Sequence, residues 1–183
     1  TLEDGRPSRL PLSHPKIRAR TFVSCQDPRM ASFSDLIGLT GRWRGTYRLT
    51  VEPGMPTRES QTTAVVAPIA GGRFARIDYT WGDRDKPQDG SILFGRDREG
   101  GVVTALWVDS WHMSDKVMAC EGAAGSGETL DVRGSYAAPP GPDWGWRTVI
   151  ETLDEDSLRL VMYNLTPDGQ EMLAVDALYR RAD

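Results

Sequence analysis

One octapeptide concentrates the groups in this chain that could do chemistry: Leu106-Trp107-Val108-Asp109-Ser110-Trp111-His112-Met113. It holds two Trp, an Asp, a Ser and the only His after residue 14. The stretch 101–113 reads as a β-strand. A plain barrel strand would fill its inner face with Val, Ile and Leu, but here titratable groups alternate with indole rings. Apolar lining with a few placed polar groups is the composition of a binding-cavity wall. His112 is the candidate acid/base or metal ligand. In a regular strand it shares a face with Ser110, while Asp109 and Trp111 share the other. A Ser110–His112 pair is then geometrically possible, about 7 Å apart at Cβ, whereas an Asp109–His112 dyad needs a bulge. Nucleophilic catalysis would also need an oxyanion site, and no Gly-x-Ser-x-Gly elbow occurs. The plainer role for His112 is a pocket-lining or structural hydrogen-bonder.

Other residues could share that chemistry. In Trp144-Gly145-Trp146-Arg147 the two Trp share a face, where they could stack on a flat ligand or fill a barrel end. The preceding Pro139-Pro140-Gly141-Pro142 makes a stiff loop that could frame a pocket mouth. Arg76 and Asp78 alternate with Ala75, Ile77 and Tyr79, and Arg133 and Arg147 occupy similar positions. On an outer face such arginines are solvated or ion-paired at little gain. Facing inward they would need a partner, and a ligand carboxylate would serve. Met118 and Cys120 lie on the strand expected to pair with that of His112, but without ligand spacing they make no metal motif. No Walker loop, dinucleotide fingerprint, zinc-finger spacing or EF-hand occurs, and no cofactor or metal is expected.

The elements that must position these groups are strands. From Gly41 onward ten segments separated by turn signals read as strands: 41–51, 59–68, 73–81, 91–97, 101–113, 117–122, 129–137, 145–153, 158–165 and 171–180. Short strands joined in sequence predict an up-and-down antiparallel barrel, and closure removes the exposed edges. Leu173, Val175, Ala177 and Tyr179 are expected to share one face of the last strand. Residues 33–39 predict one helical turn capped by Ser32 or Ser34. Residues 1–29, with Pro7, Pro11, Pro15 and Pro28, read as a disordered tail, and residues 30–183 as the barrel domain.

Charge narrows the partners. The chain carries −4 overall, with the basic excess confined to residues 1–29. An acidic domain is a poor scaffold for phosphate backbones, so no nucleic acid is expected. No apolar run approaches a membrane span, so no membrane partner is expected either. Two cysteines, Cys25 and Cys120, one in each region, make no disulfide framework, which fits a reducing, cytoplasmic setting.

Several motifs together carry a family likeness. Gly41-Arg42-Trp43-Arg44-Gly45 resembles the Gly-x-Trp entry of calycin-type barrels such as lipocalins, fatty-acid-binding proteins and nitrobindins. Joined to Trp107–Met113, Gly134-Ser135-Tyr136, Gly141–Arg147 and Met162–Gly169, it is similar to an uncharacterised bacterial family of calycin-like proteins that carries a domain-of-unknown-function label. The resemblance spans about residues 35–181 and implies a roughly ten-stranded barrel with an internal cavity. It implies no reaction. Nitrobindins hold haem through an axial His near the end of the barrel sequence, and here 171–180 contains no His.

The reading that follows is a binding protein for a small, largely apolar molecule with one polar or anionic group. Trp43, Trp107, Trp111, Trp144 and Trp146 would supply apolar contacts. His112, with one or more of Arg76, Arg133 and Arg147, would supply polar ones. An enzyme using the same cavity would take His112 as acid/base, assisted by Asp109, Asp78 or Tyr136. A barrel filled by its own side chains and pairing as a homodimer is the third possibility.

Overall fold

The computed structural model describes residues 28–97, 99 and 101–182. The expectation of a disordered tail falls, as far as residue 27, outside the described residues. A two-residue strand, β1 (Arg29–Met30), leads into one helical turn, α1 (Phe33–Gly38). Ser32 is the N-cap, accepting from the Asp35 N–H, while the Asp35 carboxylate accepts from the Ser32 N–H. This reciprocal box satisfies two donors that a helix start leaves free.

Ten strands then run as one meander: β2 (Gly41–Leu49), β3 (Arg58–Ile69), β4 (Phe74–Asp83), β5 (Lys86–Arg96), β6 (Val103–Asp109), β7 (Met118–Gly122), β8 (Asp131–Tyr136), β9 (Trp144–Thr152), β10 (Ser157–Leu165) and β11 (Glu171–Arg181). Each pairs antiparallel with its neighbours in sequence, and β11 pairs with β2 to close the barrel. β1 adds to the end of β9, with Arg29 opposite Thr152. Among the described residues, no helix is long and apolar enough to cross a membrane.

Three elements differ from the sequence reading, each for a local reason. β5 starts at Lys86 rather than 91, because Arg84 and Asp85 both take positive φ and make a tight hairpin turn where a long loop was expected. β6 stops at Asp109, so Ser110–His112 leave the strand and enter a turn. On β11, Leu173 is exposed while Val175, Ala177 and Tyr179 are buried. A register shift against β10 between Met162 and Tyr163 reverses the faces at that point, which breaks the single-face alternation.

The interior is packed with large rings. Trp43, Tyr47, Tyr79, Phe94, Trp107 and Tyr179 are all fully buried. α1 closes one end, where the Trp43 indole N–H donates to the Leu39 carbonyl at 3.0 Å. The wall is weakest between β7 and β8, whose ladder is confined to Glu121–Arg133 and Gly122–Val132. Beyond those pairs, toward the end remote from α1, Met118–Cys120 and Gly134–Tyr136 are not paired with each other.

Candidate functional site

The site is built around Asp109, the last residue of β6, which is 2% exposed. Its carboxylate receives five donors. Oδ2 accepts from the Tyr79 hydroxyl at 2.8 Å and from the Trp81 indole N–H at 3.2 Å. Oδ1 accepts from the backbone N–H groups of Trp111 and His112, both at 2.9 Å, and lies 3.0 Å from His112 Nδ1. Tyr79 in turn accepts from the Trp107 indole N–H at 2.9 Å. Desolvation alone would raise the Asp109 carboxyl. The hydrogen bond from His112 and the two backbone donors outweigh it, and the pKa lies below the ordinary value. The carboxylate is therefore ionised and acts only as an acceptor. Tyr79 and Tyr47, buried and close to that charge, are pushed well above the usual phenol value and stay neutral.

This network explains why the strand ends where it does. Asp109 caps the turn that follows, its side chain taking the amides two and three residues on. The turn swings His112 back over the end of β6. The bulge that an Asp109–His112 contact would have needed in a strand is replaced by a change of element. Ser110, the other expected partner of His112, points elsewhere: its hydroxyl donates to Gln88 Oε1 at 2.7 Å and accepts from the Asp89 N–H.

Room for the network comes from Gly90, which faces Asp109 across the β5–β6 ladder. A Cβ there would lie 2.3 Å from the Tyr79 hydroxyl oxygen and 2.9 Å from Asp109 Oδ2. Tyr79, Trp81 and Gly90 were not among the sequence candidates. The available signal was that Tyr79 and Trp81 continue the buried face of Ala75 and Ile77.

His112 sits in an aromatic box. Its ring centroid lies 4.7 Å from that of Trp111, 5.5 Å from those of Trp81 and Trp146, and 5.6 Å from that of Trp107. Trp107 and Trp146 stack at 4.9 Å. The His112 side chain is only 8% exposed. With Nδ1 facing an ionised carboxylate, the ring proton belongs on Nδ1, which leaves Nε2 as an acceptor in the neutral ring. Nε2 is buried and has no hydrogen-bond partner, and the same is true of Trp146 Nε1. Beside these rings opens a cleft of about 730 Å³ between β7 and β8. Trp107, Trp111, His112 and Trp146 line one side of it, Met113, Met118 and Tyr136 others, and exposed Lys116 sits on its lip. The Tyr136 hydroxyl donates to Asn164 Oδ1 at 2.8 Å.

The remaining sequence candidates lie elsewhere. Trp43 packs at the α1 end, with the Arg181 guanidinium 4.4 Å from its ring centre. Arg76 and Asp78 pair with each other on the outer face. Arg133 and Arg147 also lie outside, Arg147 held by Asp131 at 2.8 Å and Glu171 at 2.7 Å. With these anions at hand, they have no need of a ligand carboxylate. Trp144 is half-buried at the rim opposite Tyr136. The structure thus brings together Trp107, Asp109, Trp111, His112, Tyr136 and Trp146, and leaves Trp43 and the three arginines out of the cleft. A second hollow of about 490 Å³ lies on the outer face around Thr63, Asp78 and Ser91. Its hydroxyls already bond locally, Thr63 with Thr80 and Ser91 with Asp78. Among the described residues, no group of three or more His, Cys, Asp or Glu side chains could hold a metal ion.

Comparison with known proteins places the fold. The crystal structure of Rv2717c from M. tuberculosis superposes with a TM-score of 0.59 at 17% identity, covering 85% of this chain and all of that one. At that identity the likeness is one of fold. No curated protein matches the chain. Residues 33–181 match the family described as "Protein of unknown function (DUF1579)", and the chain belongs to that family.

Proposed function

We propose that the cleft beside His112 binds a small, largely apolar molecule that carries one polar group. The observation that carries this reading is His112 Nε2, a buried acceptor without a partner, set among Trp rings at the edge of an open cleft. Leaving such a group unpaired costs about 1–3 kcal/mol, and a ligand that bonds to it recovers that cost on binding. The closed antiparallel barrel supports the same reading, since ligand sites often lie in the mouths of β-barrels. Cys120, a free thiol inside the barrel, suits a reducing, cytoplasmic setting. Two copies could pair through the exposed Val65, Phe74, Leu106 and Val108 of the outer face.

Native mass spectrometry of protein purified from a bacterial host tests the reading. An adduct lost on denaturation and absent from His112→Phe supports it. A bare protein mass, with unchanged Trp fluorescence across a library of small aromatic and aliphatic compounds, would end it.

The Asp109–His112 contact favours a second reading, in which Nε2 takes a proton from the bound molecule while Asp109 holds the ring. In that case Asp109→Asn would lower turnover by about 10²–10⁴ with little change in binding.

A further inference from the structure

The hydrogen-bond inventory of the site defines what kind of polar group it accepts. This inference rests on the reading that the cleft binds a ligand. The donors bonded in the Asp109 network are committed, Tyr79, Trp81 and His112 Nδ1 to its carboxylate and Trp107 to Tyr79, while the Tyr47 hydroxyl lies buried nearby and outside the cleft. Of the buried side-chain polar atoms left without a partner, two belong to residues that line the cleft, and they are of opposite kind. His112 Nε2 is an acceptor and Trp146 Nε1 is a donor. The His112 side chain is more than nine-tenths buried, and so is Trp146. Their rings are neighbours, with centroids 5.5 Å apart and planes tilted by 58°.

We propose that the molecule taken into this cleft is a flat, neutral alcohol or phenol, whose hydroxyl donates to His112 Nε2 and accepts from Trp146 Nε1. A hydroxyl carries both functions on one atom. An ether or ketone could serve Trp146 but would set a lone pair against Nε2. A carboxylate would do the same, and would bring a second anion toward Asp109. An ammonium group would serve Nε2 and leave Trp146 unpaired. A flat body is selected because the nearest walls are the indole faces and edges of Trp107, Trp111 and Trp146. Sites built to bond a hydroxyl reject analogues that lack it, because the buried polar groups then stay unpaired.

Three probes of one shape separate the possibilities by isothermal titration calorimetry at neutral pH: 1-naphthol, 1-methoxynaphthalene and 1-naphthoate. The expected order places naphthol about tenfold or more tighter than either of the others. His112→Phe should erase the preference for naphthol over the methyl ether. Trp146→Phe, which leaves the Asp109 network intact, should weaken both about equally and keep the preference. That second variant holds the test open if His112→Phe fails to fold. Equal binding of all three probes would overturn the hydroxyl assignment and leave the cleft a binding site. Tighter naphthoate binding would overturn it in favour of anion capture by Lys116 at the lip. No heat from any probe at millimolar concentration would overturn both the hydroxyl assignment and the binding reading.

Discussion

At the scale of the residue, Asp109 is the centre of the site, and it is a stability element before it is anything else. A buried carboxylate is tolerable only when its lone pairs are filled, and here five donors fill them. Asp109→Asn places an amide N–H₂ against donors, and should cost about 2–3 kcal/mol in denaturant unfolding. Its pH dependence has a definite sign. The folded pKa is lowered, so the unfolded state binds the proton more readily. The stabilisation is complete above the ordinary carboxylate range and is lost as the pH falls through the lower, folded value. Asp35, held low by its hydrogen bond to Arg29, acts in the same direction. Thermal unfolding followed from neutral pH down through that range should therefore show a shallower loss for Asp109→Asn than for the unsubstituted chain. Gly90 allows a sharper check. Gly90→Ala sets a methyl group against Tyr79 and Asp109, and should destabilise by about 1–3 kcal/mol while altering the Trp fluorescence. A neutral outcome would mean that the network shifts aside freely.

At the scale of the element, the incomplete ladder between β7 and β8 sets where the barrel opens. Paired strands bury their backbone groups, so a short ladder leaves amides free toward the rim. Amides of Met118–Cys120 and Gly134–Tyr136 that face this gap should exchange with deuterium faster than those of β2, which is paired along its whole length with β3. A bound ligand should slow them. Uniform protection across β7 and β8 in the free protein would contradict the opening. At the other end, α1 depends on its capping box, and Ser32→Ala should cost about 1 kcal/mol with no effect on the cleft.

At the scale of the whole molecule, closure through β11–β2 makes the barrel one cooperative unit, so a ligand at the mouth stabilises all of it. At a free concentration one hundred times its Kd, a ligand adds about 2.7 kcal/mol. For a domain of this size that corresponds to a rise in Tm of roughly 5–11 °C. Differential scanning fluorimetry with the naphthalene probes should show that rise for the probe that calorimetry finds tightest. Burial pushes the Cys120 thiol up to about 11. In a chain with Cys25 replaced by Ser, Cys120 should resist alkylation at pH 8 until the barrel unfolds.

The sequence by itself determined the strands and their order. Turn chemistry at Glu52-Pro53-Gly54, Ala70-Gly71-Gly72 and Thr166-Pro167-Asp168-Gly169 is local, and a meander pairs each strand with the next, so local signals sufficed for the topology. It also singled out Trp107, Asp109, Trp111 and His112, because polar groups among indoles break the apolar pattern of a core strand. It could not say which face was inside. That left Arg76, Arg133 and Arg147 as candidates until the barrel placed them outside, with Asp78, Asp131 and Glu171 as partners. Only the tertiary structure decided that β6 ends at Asp109, since the carboxylate that stops the strand is fixed by Tyr79 and Trp81 from β4, some thirty residues away. Only it showed that Gly90 is a space rather than a turn, and that Trp43 closes the end opposite to the cleft. These are facts about distances between strands, and a strand's own sequence records which side chains alternate without recording what stands across the barrel from them.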